Sequence, residues 1–537
     1  MKKTLKLVSI IFVLLILSTA VFAACKDKTE PVDTVIVGTT AAIEKAVRGE
    51  YDYDMLASGN SEIPLVYQDA EGVFHPLLAD YSTEDSKSWT FTVKDDMKWS
   101  DGKDVTAEDI LFTLQYADES ENATNFAGSA PKYAGYSLSE DKKSVTLELS
   151  KANVRELSNM TSFRVMPKHI YENKSAGEIT EADGRVVCGP YVLTSFNVEA
   201  NSLTYEINPY YPQKPNVTKL VYKLFSSADV MYAALKTGDV DAVWTYSSGI
   251  PSTYLNSLKN SNLTFMTGSA TNAPAVLMFN NSIAPFNDVN IRLAVSYALN
   301  YETFKSLFGS EYAKTPNKGF APEGTVGYKE TEPLETDFAK AEEYLVKSGY
   351  TKGKSGFYEK SGEVLSFGLT VRATNATHIR YAEVVKICLE QFGIKVNIDA
   401  LDGTAFNVKT SNKFAGENNT TVSHQAAING FTSAGMGMMN GLGSIYVDKN
   451  HAVQGGCQVS DAAFQEILTE MSAAKTPEEY VAGAGKLQDY YAEKMPLIAL
   501  YRDNMLFAYN SRLSGFVIDA VFGINNVNSW LSVVAAK

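Results

Sequence analysis

The chain has 537 residues with a formal net charge of −14, and apolar residues make up 45% of it. A chain of this length is too long for one hydrophobic core, so we expect two or three domains. The acidic balance argues against nucleic acid or an anionic membrane surface as a partner, because both are recognised by basic patches.

The first residues predict export. Three lysines within residues 1–6 precede an almost unbroken apolar run, residues 7–23, and two alanines close this stretch. A basic segment followed by a short apolar run and small residues is typical of a secretory signal peptide. We therefore assign residues 1–24 to a signal that is removed.

Cys25 directly follows the alanine pair, and we assign residues 25–32 to a polar tether. This arrangement resembles the lipid-attachment site of a bacterial lipoprotein, although Phe22 stands where that pattern prefers Leu. We predict lipidation of Cys25 and anchoring to the outer face of the cytoplasmic membrane, or a periplasmic location in a Gram-negative cell. Ordinary secretion with an incidental cysteine is the alternative.

Apart from Cys25, the chain has three cysteines, Cys188, Cys388 and Cys457. Their wide spacing excludes a disulfide framework and a CxxC motif. One disulfide is compatible with the sequence, which does not assign its partners.

The first predicted elements are strands. Residues 33–40, "DTVIVGTT", form a β-branched run that predicts a strand. Between residues 73 and 150, short strands alternate with turns. Trp89, Phe91 and Val93 fall on one face at a period of two, which is typical of a half-buried strand.

Strands and helices alternate in the rest of the chain. Residues 185–211 predict a β-hairpin, and a helix that Gly238 closes follows it. Residues 288–308 have a strong helical period. Residues 476–501 predict a helix that breaks at Pro496 into an apolar strand. This alternation indicates an α/β architecture.

The acidic stretch "KWSDGKDVTAEDILF", residues 98–112, could be a metal-binding cluster or a structural element. Thr106 and Asp109 have the spacing of a capping box, and Glu108 lies in a first helical turn, where the helix dipole favours negative charge. The stretch lacks the regular ligand positions and the final Glu of an EF-hand loop. We therefore interpret it as a turn and a helix start.

The same stretch lies within residues 76–117, which resemble the hallmark segment of the family 5 extracellular solute-binding proteins. These are receptors of ABC importers for peptides, dipeptides and nickel. Four later segments resemble the family in the same order: "CGPYVLTSF", "INPYYPQKPNVTKLVYKLF", "AALKTGDVDAV" and "LMFNNSIAPFNDVNIRLAVSYALNYE". The resemblance covers nearly the whole mature chain.

The resemblance implies an α/β, periplasmic-binding-protein-like two-lobe fold (class II, cluster C) with an extra subdomain and two hinge crossings. Transferred by order, lobe 1 would comprise residues 33–65, 184–268 and 503–537, with the extra subdomain at 66–183. Lobe 2 would comprise residues 269–502. The ligand would lie in the interlobe cleft and be enclosed by hinge motion.

No catalytic or cofactor motif is present. The five histidines lack the HExxH spacing, and the chain has neither a G-x-S-x-G motif nor a phosphate-binding loop. We expect no cofactor and no enzymatic activity. A secreted peptide hydrolase is the rival from another class, and the sequence supplies no residues for it.

Two stretches are the best pocket candidates. In the first, "VWTYSSGIP", Tyr246 resembles the position where peptide-binding relatives place a tyrosine against the ligand backbone. Trp244 would share that role or pack in the core.

The second stretch, residues 427–446, starts like the family's ligand-pairing segment, with a Gly-Phe pair in place of Gly-Trp. In peptide-binding relatives the backbone of this segment pairs with the ligand as an added strand, which gives affinity without side-chain specificity. We assign to the pocket Gly430, Phe431, Thr432, Ser433 and Met436.

An acid that meets the peptide α-ammonium follows in those relatives, but Thr432, Ser433 and Ala434 stand in its place here. No charged residue occurs between Asn418 and Val447. A buried ammonium without a counter-charge is costly. Either an acid from elsewhere replaces it, or the ligand presents no free amino terminus there.

The methionines of this stretch, Met436, Met438 and Met439, allow three interpretations. They fill a loop, or they form an adaptable apolar wall of the pocket. Together with His424, His451 or Cys457 they could instead bind a soft metal or its chelate.

We therefore predict the substrate-binding component of an ABC importer. It would capture an oligopeptide or peptide-like solute and deliver it to a membrane permease and its ATPase subunits. Binding of nickel or a metal chelate by the same fold is the alternative. We expect a monomer that does not bind nucleic acid.

Overall fold

A computed structural model gives the fold and describes residues 31–69, 73–119, 133–245, 249–268, 272–323, 325–432, 442–519 and 522–536. The predicted signal peptide and Cys25 lie outside these residues. The strands are β1 Val32–Thr39, β2 Val66–Gln68, β3 Phe74–Pro76, β4 Ala79–Ser82, β5 Ser88–Val93, β6 Gly135–Leu138, β7 Ser144–Glu148, β8 Tyr191–Asn197, β9 Ser202–Ile207, β10 Val217–Leu224, β11 Ala242–Trp244, β12 Leu263–Thr267, β13 Asn272–Phe279, β14 Thr351–Lys352, β15 Tyr358–Lys360, β16 Glu363–Val364, β17 Ser366–Arg372, β18 Lys395–Leu401, β19 Ala426–Thr432, β20 Leu497–Ala499, β21 Leu506–Asn510, β22 Leu513–Ser514 and β23 Val534–Ala535.

The helices lie between these strands and cover their faces. They are α1 Tyr51–Ser58, α2 Ala107–Glu119, α3 Glu156–Met160, α4 Lys168–Tyr171, α5 Ala228–Thr237, α6 Ser252–Leu258, α7 Val289–Ala298, α8 Tyr301–Phe308, α9 Phe338–Lys347, α10 Ala376–Phe392, α11 Gly403–Thr410, α12 Asn412–Glu417, α13 Ser444–Val447, α14 Ala462–Ala473, α15 Pro477–Lys494 and α16 Val527–Ser532. In the described part of the chain, no helix combines the length and the apolarity that a bilayer crossing requires.

The largest sheet has the strand order β12-β21-β11-β1-β10-β9-β8 and forms the centre of lobe 1. β1 runs parallel to β10 and β11, whereas β21 runs antiparallel to both β11 and β12. Side chains of the sheet point alternately into two apolar clusters, as strand geometry requires. Trp244 belongs to one cluster, and its neighbour Val243 belongs to the other.

A second sheet, with the order β18-β17-β19-β13-β20, forms the centre of lobe 2. β17 runs parallel to β18 and β19, and β13 runs antiparallel to its two neighbours. Along β13 the side chains alternate between two cores, with Leu277 in one and Met278 in the other. Both faces of the sheet are therefore covered.

The extra subdomain is built on a smaller antiparallel sheet with the order β4-β5-β7-β6. Trp89, Phe91 and Val93 are buried on one face of β5, which confirms the predicted period of two. The expected bounds of the lobes and of this subdomain stay a prediction.

The extra subdomain is held against lobe 1 by one buried ion pair, Arg164–Asp54, and by a hydrogen bond from Arg48, whose own ion pair with Glu62 lies within lobe 1. Arg48 binds Glu62 at 2.8 Å and donates to the carbonyl of Val165 at 3.2 Å. Arg164 binds Asp54 at 3.1 Å. Breaking such a pair leaves an uncompensated buried charge, so these contacts hold the two parts together firmly.

The acidic stretch is a turn and a helix start, as predicted. Gly102 has a φ of +89°, which suits a tight turn. The Asp109 carboxylate accepts from the Thr106 amide at 2.9 Å, which is the acid's half of a capping box. The Thr106 hydroxyl also donates to that carboxylate, whereas the capping box predicted that it would accept from the backbone.

The predicted helix over residues 288–308 is wrong in one respect, because the structure divides it into α7 and α8. The chain leaves the helix at Leu299, and the Asn300 side chain accepts from the Thr303 amide at 3.1 Å. An asparagine side chain that caps a new helix competes with continuation of the old one. The helix that breaks at Pro496 and the hairpin of β8 and β9 are confirmed.

The three cysteines of the described residues are free and buried, so the disulfide that the sequence left open does not form. Burial raises the pKa of the Cys188 and Cys457 thiols to about 12.

His424 precedes β19, is fully buried and binds the carbonyl of Lys409 through Nδ1 at 3.2 Å. Burial lowers its pKa from 6.5 to about 4, because the charged ring would lose its hydration. Between these two pH values the unfolded chain binds a proton that the folded chain does not. The free energy of unfolding therefore falls as the pH drops from 6.5 to 4.

We predict that replacing His424 by Asn removes most of this pH dependence. Between pH 7 and pH 4 the wild-type protein should lose about 2–3 kcal/mol more than H424N, given about 1.4 kcal/mol for each pKa unit. Urea unfolding at both pH values measures the difference. Parallel pH profiles of the two proteins would contradict the prediction.

Candidate ligand-binding cleft

The cleft lies between the carboxyl ends of the two central sheets. In lobe 1 the parallel strands β1, β10 and β11 end at Thr39, Leu224 and Trp244. In lobe 2 β17 and β19 end at Arg372 and Thr432. In open α/β sheets, ligands bind outside the carboxyl ends of the strands.

Two crossing segments join these edges. β12 ends at Thr267, which pairs with Leu506, and β13 begins at Asn272, which pairs with Thr432. The second crossing, residues 500–505, leads from β20 back to β21. Both crossings therefore run from one carboxyl edge to the other, and the two edges face the same gap.

A cavity of about 370 Å³ lies beside the second crossing. Lobe 1 supplies residues 249–252 to its wall, and lobe 2 supplies the C-terminal end of α8 and the first turns of α10. The remaining lining residues are Pro274, Tyr501, Asp503 and Asn504. The cavity is therefore an interlobe feature.

The polar groups of this cavity are held in place. The hydroxyls of Tyr381 and Tyr501 are 2.9 Å apart, and burial raises the pKa of both, so they stay neutral. The Asp503 carboxylate accepts from the Ser310 amide at 2.7 Å and from its hydroxyl at 2.5 Å. Arg380 lies 5.4 Å from the Phe308 ring centroid.

Arg502 points to the opposite face of the crossing. Its backbone pairs with Lys314 in both directions, at 3.0 and 2.8 Å, which fixes an extended conformation with alternating side chains. The guanidinium lies 5.0 Å from the Phe320 ring centroid and is buried. Its Nη1 and Nη2 atoms have no hydrogen-bond partner. Burial lowers the pKa of Arg502 to about 9.

The Phe320 ring offsets only part of this burial. A desolvated cation–π contact contributes roughly 2 kcal/mol, whereas burying an unpaired charge costs several kcal/mol. Phe320 itself has a φ of +68°, which a bulky side chain rarely adopts. Its ring packs against Phe431 at 5.1 Å. Backbone strain of this kind clusters at functional sites.

Among the described residues, the end of β19 has an unpaired edge toward β17. β17 pairs with β19 only at Ala426 and Ala427, while β13 continues along the other edge as far as Thr432. The Gly430 amide is bound by the side chain of Asn429, and its carbonyl accepts from the Tyr446 hydroxyl at 3.4 Å.

Of the predicted pocket residues, the structure brings together Gly430, Phe431 and the backbone of Thr432 at this edge. Phe431 is 5% exposed and packs against Phe320 and Tyr446. Trp244 is 2% exposed and belongs to the lobe 1 core, which favours its interpretation as a core residue. Tyr246, Ser433 and Met436 lie outside the described residues.

The predicted alternative metal site stays a prediction, because its methionines, Met436, Met438 and Met439, lie outside the described residues. Within the described ranges, no group of three or more His, Cys, Asp or Glu side chains could hold a metal ion. His424 is buried, and the Cys457 thiol has a pKa raised to about 12.

The sequence prediction missed the second crossing as part of the site. Its polar triplet, Arg502, Asp503 and Asn504, interrupts an otherwise apolar run from residue 495 to residue 509. Adjacent opposite charges between two buried strands were the signal that could have located it. Their separation onto two faces depends on the pairing with Lys314, which is distant in sequence.

A comparison with known families identifies the class. Residues 73–446 match the profile of the middle region of the bacterial extracellular solute-binding proteins, family 5. The chain belongs to this family, and the resemblance seen in the sequence is confirmed.

Two curated relatives illustrate the range of the family. The nickel-binding periplasmic protein of Escherichia coli (strain K12) is 25% identical over 343 residues, which cover 62% of this chain and 64% of the relative. The oligopeptide-binding protein OppA of Lactococcus lactis subsp. cremoris (strain SK11) is 24% identical over 360 residues, covering 59% and 58%. The matches thus span about three fifths of each relative's own length.

Solved structures share the fold. The ABC transporter substrate binding protein CtaP of Listeria monocytogenes has a TM-score of 0.74 at 18% identity, covering 95% of this chain and all of its own. The nickel ABC transporter structure from Bacillus halodurans has a TM-score of 0.74 at 18% identity, covering 91% of this chain and 97% of its own. The predicted two-lobe α/β fold is confirmed.

We predict that Gly249 is required for packing of the second crossing. It has a φ of +69°, and a Cβ there would lie 2.6 Å from the Leu506 carbonyl oxygen. Gly356 has a φ of +85° but open space around it, so it is the matched control. Gly249→Ala should lower the free energy of unfolding by about 2 kcal/mol more than Gly356→Ala. Urea denaturation measures this, and equal losses would contradict it.

Proposed function

We propose that the chain is the substrate-binding component of an ABC importer and captures an oligopeptide or peptide-like solute in the interlobe cleft. The single observation that carries the proposal is the unpaired edge of β19, which lies where the two carboxyl edges meet. An extended peptide adds to such an edge through main-chain hydrogen bonds. The name of the OppA relative supports this class of ligand, and the name of CtaP, an ABC transporter substrate binding protein, supports this class of transporter.

The extra subdomain also contacts lobe 2, at a place away from the two crossings. The Ser86 hydroxyl donates to the carbonyl of Lys475 at 2.7 Å, and the Arg155 guanidinium lies 5.6 Å from the Tyr480 ring centroid. These contacts link the extra subdomain to the start of α15 in lobe 2. They support enclosure of the solute by hinge motion, with lobe limits as assigned from the sequence.

The partners follow from this role. A cleft that encloses its solute delivers it by reopening against a membrane permease, which the ATPase subunits drive. We propose that the protein is a monomer without enzymatic activity, since the roles proposed for the pocket residues are binding roles.

The function is tested with a random peptide library and native mass spectrometry of urea-stripped, refolded protein. We predict that intact peptides are retained by the wild-type chain, while cleaved products would establish a hydrolase instead. Tyr246→Ala and Phe431→Ala should each weaken retention by about tenfold or more, the loss expected for an interface anchor. Because Phe431 is buried, circular dichroism must first show that the variant is folded. Unchanged affinity in both variants would remove this site.

Nickel, or a small nickel chelate, is the second candidate, because a curated relative and a solved structure with this fold both carry nickel in their names. The methionines Met436, Met438 and Met439 would then supply soft thioether ligands. Thermal stabilisation by nickel that a chelator reverses would favour this candidate over peptides.

We further propose that Cys25 is lipidated and anchors the protein to the outer face of the cytoplasmic membrane. We predict that the full-length protein, expressed in a bacterial host, enters the detergent phase on Triton X-114 partitioning. Cys25→Ala should move it to the aqueous phase while leaving peptide retention unchanged. Equal partitioning of the two proteins would contradict lipidation.

A further inference from the structure

Arg502 is a buried cation that its surroundings do not satisfy. It is 5% exposed, and both terminal nitrogens of its guanidinium are buried without a hydrogen-bond partner. Arg292, which lies in the same lobe and is 6% exposed, shows how a buried guanidinium is ordinarily satisfied by hydrogen-bond acceptors. Its Nε donates to the Lys494 carbonyl at 2.9 Å, and its Nη1 donates to the Phe286 carbonyl at 2.5 Å. Arg502 therefore has capacity for an acceptor that the chain does not provide.

No carboxylate among the described residues compensates this charge. The neighbouring acid, Asp503, points to the opposite face of the crossing and is bound by Ser310. The stretch between Asn418 and Val447 contains no acidic residue at all. A cation left in this position favours a counter-charge brought from outside.

The guanidinium lies at the base of the ligand-pairing segment. Phe320, which stacks on Arg502, also contacts Phe431, the residue before the end of β19. On its other side Phe320 packs against Gly443, where a Cβ would lie 2.6 Å from the ring. One aromatic side chain thus connects Arg502 to both ends of residues 432–442. The Phe320 ring therefore links the cation to the residue beside the unpaired end of β19.

We propose that Arg502 binds a carboxylate of the enclosed solute, so that this chain selects an anionic cargo. A guanidinium and a carboxylate form two parallel charge-assisted hydrogen bonds, which would satisfy Nη1 and Nη2 together. Because the guanidinium is already desolvated and held by the Lys314 backbone pairing and the Phe320 ring, it is preorganised for such a ligand. This inference rests on the proposed solute-binding function.

The test uses matched hexapeptide libraries that lack Asp and Glu, one with free C-terminal carboxylates and one with C-terminal carboxamides. A third library has carboxamide ends and one Glu at varied positions. The wild-type protein should bind carboxylate-bearing peptides at least about 30-fold more tightly than neutral ones, since loss of a buried charge partner has effects of this size.

Arg502→Met should bring this ratio close to one, with little change in affinity for the carboxamides. Arg502→Lys should restore part of it, because an ammonium keeps the charge but not the two-pronged geometry. The control Arg292→Met should keep the wild-type ratio. A wild-type protein without a preference, or an R502M variant that keeps it, would overturn the proposal.

A second measurement needs no peptide. Urea unfolding of ligand-free protein should give R502M a higher midpoint than wild type, because Met fills a similar volume without an unsatisfied charge. R292M should have a lower midpoint. If R502M is destabilised as R292M is, then Arg502 is a structural group and the proposal is wrong. If no peptide library binds while R502M still has a raised midpoint, the peptide function is rejected. That result would support an anionic, non-peptide cargo.

Discussion

The cleft depends on how the chain reverses direction where it passes between the lobes. β13 and β21 run antiparallel to neighbours that belong to parallel sets, and they follow the two crossings directly. This reversal places the start of each strand beside the carboxyl ends of its neighbours. A register slip of one residue in β13 would turn Leu277 and Met278 to the wrong cores, so the apolar pattern fixes the position of the crossing.

The electrostatics of the cleft follow from the same geometry. The second crossing is extended, so its consecutive side chains serve different surfaces: Tyr501 and Asp503 line the interlobe cavity, and Arg502 enters the aromatic cluster around Phe320. The Asp503 carboxylate is stabilised by hydrogen bonds from Ser310, whereas the terminal nitrogens of Arg502 have no hydrogen-bond partner. A protein with a net charge of −14 thus keeps an unpaired, buried cation in the aromatic cluster around Phe320.

Much of the fold could be predicted because its signals are local. The turn at Gly102, the acid's half of the Asp109 capping box and the helix break at Pro496 each depend on a few adjacent residues. The helix over residues 288–308 was predicted as continuous because its apolar period persists through Asn300, and a capping side chain is hard to distinguish from a surface one. The site was harder to predict. Residues 430–432 are candidates through resemblance, whereas the proposed role of Arg502 depends on its contacts with Lys314 and Phe320, which are far away in sequence.

The burial of the three thiols affects how the protein withstands an oxidising environment. Its family is extracellular, where oxidants and disulfide exchange are common. The thiolate is the reactive form of a cysteine. Cys188 and Cys457 are buried, and their thiols have pKa values of about 12, so almost no thiolate is present. The described cysteines form no disulfide, so these residues need no oxidative folding catalyst, and Cys188 and Cys457 offer almost no thiolate for reaction in the folded protein.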